Sequence, residues 1–239
     1  MNLLDNYLKG DYYYVYDEIE KMGDRAFEPY FFPTVEAVLI ETFNRVSYNL
    51  DIIYAELTKI DYCFNRRTKY DFQRPLLKPS PDAEDLLLKL DNVVKKIGHI
   101  PLSLKMFYKI VGSCNFAWDY NENPNIPWEG ADPIQITPVK DLLSGLIGLS
   151  DEEDEFIQLC VSADFLHKDN ISGGPPYCVE ITPNLSIDGL FLNHEDGTTF
   201  IDYLRLTMGN CGFSRPDVCI HIDDFARFQE SVRPKLYGI

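Results

Sequence analysis

Basic residues are scarce in this sequence, and over one long stretch they almost vanish. Only 22 Lys and Arg stand against 38 Asp and Glu, a formal net charge of −16. Between Ile110 and Phe200, 16 acids are accompanied by just two basic residues, Lys140 and Lys168. A field of that sign repels nucleic acid and anionic membrane surfaces and attracts basic proteins. Nucleic-acid binding is therefore the first class to be excluded. Long apolar runs are also missing: no stretch approaches the ~18 residues of a membrane span. The opening Met-Asn-Leu-Leu-Asp-Asn-Tyr has neither the basic nor the apolar part of a secretory signal. The expectation is a cytoplasmic protein without a membrane role.

Cysteine pairing motifs are absent as well. Cys63, Cys114, Cys160, Cys178, Cys211 and Cys219 form no C-x-x-C pair, and 239 residues are too many to need disulfide staples. Several lie in apolar runs, as in Leu159-Cys160-Val161 and Tyr177-Cys178-Val179, where a thiol behaves as a small hydrophobe. Reduced, buried cysteines are expected.

The catalytic signatures are missing too. No G-x-x-x-x-G-K-[ST], no G-x-G-x-x-G after a strand, no G-x-S-x-G elbow and no H-E-x-x-H occurs. Of the four histidines, His194 with Glu195 and Asp196, or His221 with Asp223 and Asp224, offer imidazole and carboxylate. Cys211, Cys219 and His221 match no zinc spacing and lack a fourth ligand. Neither a metal nor another cofactor is expected. With 38 acids, close carboxylate pairs are inevitable and carry no weight for acid–base catalysis. A carboxylate- or metal-dependent hydrolase is the weakest reading, and a non-enzymatic protein the strongest.

What is present is a foldable α+β pattern, with 45% apolar residues to build a core. From Thr34, a cap candidate with Glu36 in the first turn, to about Cys63, apolar residues recur at alternating spacings of four and three. They are Leu39, Phe43, Val46, Leu50, Ile53, Leu57 and Ile60, an a/d seam on one long helix. Tyr7–Met22 is a helical partner for it, and packing within the chain is favoured over a coiled-coil dimer. Phe64 to Pro81 breaks the pattern with prolines and a basic cluster, and reads as a connector. A module boundary is placed there, giving a helical extension over 1–79 and an α+β domain over 80–239.

In the second part, Ser80, Pro81 and the acids Asp82, Glu84 and Asp85 open one amphipathic helix, and Pro101 opens another that Gly112 stops. Phe116, Trp118 and Tyr120 then alternate with Asn115, Ala117 and Asp119, a period-two strand. Further strands are expected at Ile134–Ile136, Phe156–Ala163, Tyr177–Ile181 and Leu190–Leu192, and helices at Thr199–Met208 and Asp223–Val232. Strands this closely spaced leave no room for helical crossovers, so the sheet should be mostly antiparallel and flanked by helices.

The candidate binding residues follow from charge and aromatic placement. Trp118 is read as sheet core. Trp128, between Pro127 and Glu129 without periodic apolar company, reads as a partly exposed anchor ringed by Asp119, Glu122, Glu129 and Asp132. The run Asp151, Glu152, Glu153, Asp154 and Glu155 is either a solvated loop or a docking site for basic side chains, and Asp164 extends the acidic field.

The order of elements resembles a known family. The segment from Ile100 to Gly112, Ile-Pro-Leu-Ser-Leu-Lys-Met-Phe-Tyr-Lys-Ile-Val-Gly, resembles the opening of SUKH domains. Ala131-Asp132-Pro133-Ile134-Gln135-Ile136 followed by Val139-Lys140-Asp141-Leu142-Leu143 is similar to their next strand and short helix. Phe156–Asp164, Tyr177–Ile181, Gly189–Leu192 and Thr199–Leu206 are similar to the central strands, hairpin strand and closing helix. The resemblance covers roughly Ser80 to Met208. It departs at residues 1–79 and at Phe165–Pro176, which is longer than the expected acidic-glycine turn. The family includes a fungal cell-wall assembly regulator and bacterial immunity proteins that neutralise polymorphic toxins, often nucleases or deaminases. The resemblance implies a protein partner, a basic toxin domain foremost, and no catalytic residues. An intracellular scaffold or regulator of cell-wall synthesis is the alternative. Partner identity and oligomeric state stay open.

Overall fold

The computed structural model describes residues 2–65, 74–122, 128–147 and 158–239. Three helices open the chain: α1 (Leu3–Leu8), α2 (Tyr12–Met22) and, after one 3-10 turn, α3 (Phe32–Lys59). Helix α3 starts two residues before the expected Thr34 cap. Pro33 occupies its first turn, where a missing N–H leaves nothing unpaired. The expected seam is buried from Leu39 to Leu57, each residue at most 1% exposed, and Val35 and Val38 extend it backwards. Ile60 is half-exposed, because the helix ends at Lys59 and its last apolar position falls past the end.

The seam is covered by the rest of the same chain, not by a second copy. On one side α1 lies along α3, and α2 is tied to it by a Tyr16–Thr42 hydroxyl hydrogen bond of 2.8 Å. On the other side lie α5 (Leu102–Met106) with the π-turn Phe107–Val111, α8 (Phe200–Gly209) and α9 (Asp223–Val232). Each fully buried Leu, Ile or Phe of this seam contributes on the order of 1.5–3 kcal/mol. The C-terminal residues also return to α3. Buried Asn49 donates through Nδ2 to the Tyr237 carbonyl and accepts through Oδ1 from the Tyr237 N–H, both at 2.8 Å. One contiguous core thus runs from Leu3 to Ile239.

The α+β class is as expected, with two three-stranded antiparallel sheets among the described residues. The first joins β1 (Leu76–Leu77), β2 (Ser113–Asn115) and β3 (Gln135–Ile136). The second joins β4 (Leu159–Ser162), β5 (Tyr177–Val179) and β6 (Phe191–Leu192). The connector read before Ser80 therefore supplies an edge strand, which two leucines in a proline-rich stretch did not announce. Helices α4 (Ala83–Val94), α6 (Val139–Ile147) and the one-turn α7 (Phe165–Lys168) complete the described α-helices.

Two local details explain the sheet boundaries. Gly112 has a φ of 98°, and a Cβ there would sit 2.2 Å from the Leu77 carbonyl oxygen, so only glycine lets the π-turn end against β1. The aromatic strand expected at Phe116 to Tyr120 does not form as such: the strand is Ser113–Asn115, and the aromatic stretch after it keeps an isolated bridge from Trp118 to Phe64 as its backbone changes partner. Phe116 N–H donates to the Ile134 carbonyl, whereas Asp119 N–H donates to the Cys63 carbonyl. Phe116, Ala117, Trp118 and Asp119 are all buried, because elements cover both faces of this stretch.

Candidate functional site

Trp128 is not a partly exposed anchor. It is 5% exposed, and its ring meets Phe213, Phe225 and Phe228 with centroids 5.6, 5.0 and 5.3 Å away, with Tyr62 at 5.8 Å. Its aromatic company comes from α9 and the segment before it, far downstream, and from Tyr62, far upstream, so no local periodicity could reveal it. Trp118 is core, as expected, at 1% exposed.

Three of the acids read as binding residues are folded inward. Asp119 accepts from the backbone N–H of Asn121 at 2.9 Å, closing the turn that follows the strand. Asp164 caps α7, accepting from His167 N–H at 3.0 Å and from Gly174 N–H. Gly173 lies so close that a Cβ would be 2.2 Å from an Asp164 oxygen. The loop from Phe165 to Pro176 is thus wound around Asp164 and holds a helical turn.

Asp132 is the most deeply committed. It is 1% exposed, with a φ of 56°. Lys168 Nζ donates to its Oδ1 at 2.7 Å, and both side chains are at most 1% exposed. Tyr177 OH donates to Oδ2 at 3.1 Å, and the Ser214 hydroxyl donates to the same oxygen. The Lys168 ammonium also lies 5.0 Å from the Tyr177 ring centroid. A buried charge needs a partner and filled hydrogen-bond positions, and Asp132 has both. Next to this knot, Asp169 accepts from Tyr120 OH at 3.0 Å and from Gly130 N–H at 2.8 Å. Burial nevertheless pushes its carboxyl up to about 6.

Of the described candidates, only Glu122 and Glu129 reach solvent. Asp151, Glu152, Glu153, Asp154 and Glu155 lie outside the described residues. The charge field itself persists at the surface through Glu122, Glu129, Glu195 and Asp196, while one of its two cations, Lys168, is buried and neutralised.

The structure gathers a second set of acids that the sequence reading passed over. A cleft of about 460 Å³ opens between α2, the 185–188 loop and the start of α8. Asp17, Glu20, Asp24, Asp188 and Asp202 line it, with Tyr13, Tyr16 and one cation, Arg205. The guanidinium of Arg205 is sandwiched between Tyr13 and Tyr16, 4.7 and 4.6 Å from their ring centroids, and donates to Asp202 at 2.8 Å. Asp188 accepts from the Ser103 hydroxyl at 2.6 Å and from Ile201 N–H at 3.0 Å, and burial raises its carboxyl above the usual range. Glu20 and Asp24 stand exposed at the rim, and Tyr13 is 70% exposed. The signal was in Tyr12–Met22, where four tyrosines and three acids crowd eleven residues that were read only as packing for α3.

No group of three or more His, Cys, Asp or Glu side chains among the described residues is placed to hold a metal ion. No helix among them is long and apolar enough to cross a membrane. Comparison with protein-family models, with curated proteins and with solved structures gives no match to this chain.

Proposed function

We propose that this chain is a non-enzymatic binding protein that engages a basic protein partner, of the kind a toxin-neutralising immunity protein meets. The observation that carries the reading is the cleft between α2 and α8, where Asp17 is paired with Lys21 and Asp202 with Arg205 while Glu20 and Asp24 stand exposed at the rim beside Tyr13. Arg205 is covered by the tyrosines and paired with Asp202, which leaves Glu20 and Asp24 to face solvent. An incoming lysine or arginine finds carboxylates for its charge and exposed Tyr13 for its stem, a pairing of aromatic surface and charge common at protein interfaces. The wider acidic surface adds long-range steering, which speeds association with a basic protein and weakens with salt. The choice of a toxin as partner rests on the SUKH resemblance of the sequence from Ser80 to Met208.

The test uses binding kinetics of the full chain against the product of the gene adjacent to its own, at two salt concentrations. Glu20→Lys with Asp24→Lys changes only exposed rim charges and should leave stability nearly unchanged. Its association should slow about tenfold at low salt, with a flatter salt dependence. Wild-type association rates for the double variant at both salts would remove the cleft from the interface.

A further inference from the structure

The cysteines depart from the buried, inert set the sequence suggests. Four are buried and Cys63 is half-buried, but Cys160 is exposed. Cys160 is also directly opposite Cys178 in the antiparallel β4–β5 ladder, with its sulfur 2.7 Å from the Cys178 sulfur. Non-bonded heavy atoms sit about 3.5 Å or more apart, so the two thiols are pressed together. Directly opposed residues of an antiparallel pair have Cα atoms about 4.5–5.5 Å apart, within the window of about 4.4–6.8 Å that a disulfide spans. The register shifts between Cys160 and Ser162, an irregularity that adds local twist.

We propose that Cys160 and Cys178 are an oxidisable thiol pair, converted to a cross-strand disulfide by peroxide-class oxidants. Cys160 is the attacking sulfur. It is exposed and lines an open cleft of about 920 Å³, whereas Cys178 is fully buried. The hydrogen bond between the two sulfurs stabilises a thiolate at Cys160 and raises the thiol of Cys178. The Cys160 thiolate takes one oxygen from hydrogen peroxide, giving a sulfenic acid and one water once a proton is taken up. The Cys178 sulfur then attacks the Cys160 sulfur, the S–O bond breaks, and a second water leaves with the Cys178 proton. Two thiols and one peroxide thus give one disulfide and two waters.

The consequence is structural. The pair is 18 residues apart in sequence, and the enclosed span carries Asp164, α7 and Lys168, the cation of the buried network. A bond there ties that span to the sheet.

The experiment exposes the full reduced chain to hydrogen peroxide and counts thiols by maleimide labelling after denaturation, with peptide mass mapping. The expected result is a fall from six free thiols to four. A linked peptide containing Cys160 and Cys178 should appear, lighter by two hydrogens and reversed by dithiothreitol. The melting temperature of the oxidised chain should rise by about 5 °C or more. Cys160→Ser should keep its five remaining thiols under the same exposure, since Cys178 is then shielded. Six free thiols in the treated wild type, a different linkage, or Cys160 over-oxidised beside a free Cys178 would overturn the assignment.

Discussion

Replacing Lys168 with methionine isolates the electrostatic part of the buried network. Methionine keeps most of the length and volume, so little cavity forms, and the main loss is the ammonium 2.7 Å from Asp132. Asp132 is left 1% exposed, with hydroxyl donors from Tyr177 and Ser214 but no compensating charge. Removing one partner of a buried pair costs about 3–5 kcal/mol. The two remaining hydrogen bonds to a charged group argue for the lower end, about 3 kcal/mol, or roughly a hundredfold in the folding equilibrium. Asp132→Asn should cost a similar amount, because it strands the Lys168 ammonium. The double variant removes both charges while an amide oxygen still accepts from Tyr177 and Ser214. Its loss should therefore fall at least about 2 kcal/mol short of the sum of the single losses. Urea denaturation followed by the fluorescence of buried Trp118 and Trp128 measures all three. A Lys168→Met cost below about 1 kcal/mol, or strictly additive singles, would refute the idea that the pair organises this region.

Asp169 sets a pH dependence. Its carboxyl is raised to about 6 in the folded state against about 4 unfolded, so the folded chain holds the proton more tightly. Its contribution is fully present below about pH 4 and is lost as pH rises through about 6. Denaturation midpoints of wild type minus Asp169→Asn should fall across that window; a constant difference would show that Asp169 is not perturbed. Trp128→Ala should destabilise by about 3–5 kcal/mol, since it empties a site closed by three phenylalanines, and a urea-measured loss below about 1 kcal/mol would return Trp128 to the surface. The division into 1–79 and 80–239 is tested by producing residues 1–73 and 74–239 separately. The second piece alone should melt well below the full chain and recover when the first, carrying the α3 seam and Asn49, is added; an unchanged melting temperature would establish independent folding.

The parts legible in the sequence are those decided within a few neighbouring residues. The α3 seam, the Thr199 cap of α8, which accepts from Asp202 N–H at 3.2 Å, and the strands at Gln135, Leu159, Tyr177 and Phe191 follow from periodicity, capping and turn chemistry. Net charge likewise needs only counting. What a lone side chain does was decided by residues far away. Trp128 and Asp132 had the types of an anchor and a docking acid, yet α9 closes over the one and Lys168 with Tyr177 neutralises the other. Leu76 and Leu77 became a strand only because β2 was there to pair with them. The converse holds at the cleft and the thiol pair. Asp17 and Asp202 line one cleft because the fold brings α2 beside the start of α8, and Cys160 meets Cys178 because strand register leaves no other partner opposite. Local pattern fixes which elements form, since propensity and periodicity act over a few turns. Burial, pairing and charge compensation belong to contacts between distant segments, and those exist only once the chain has folded.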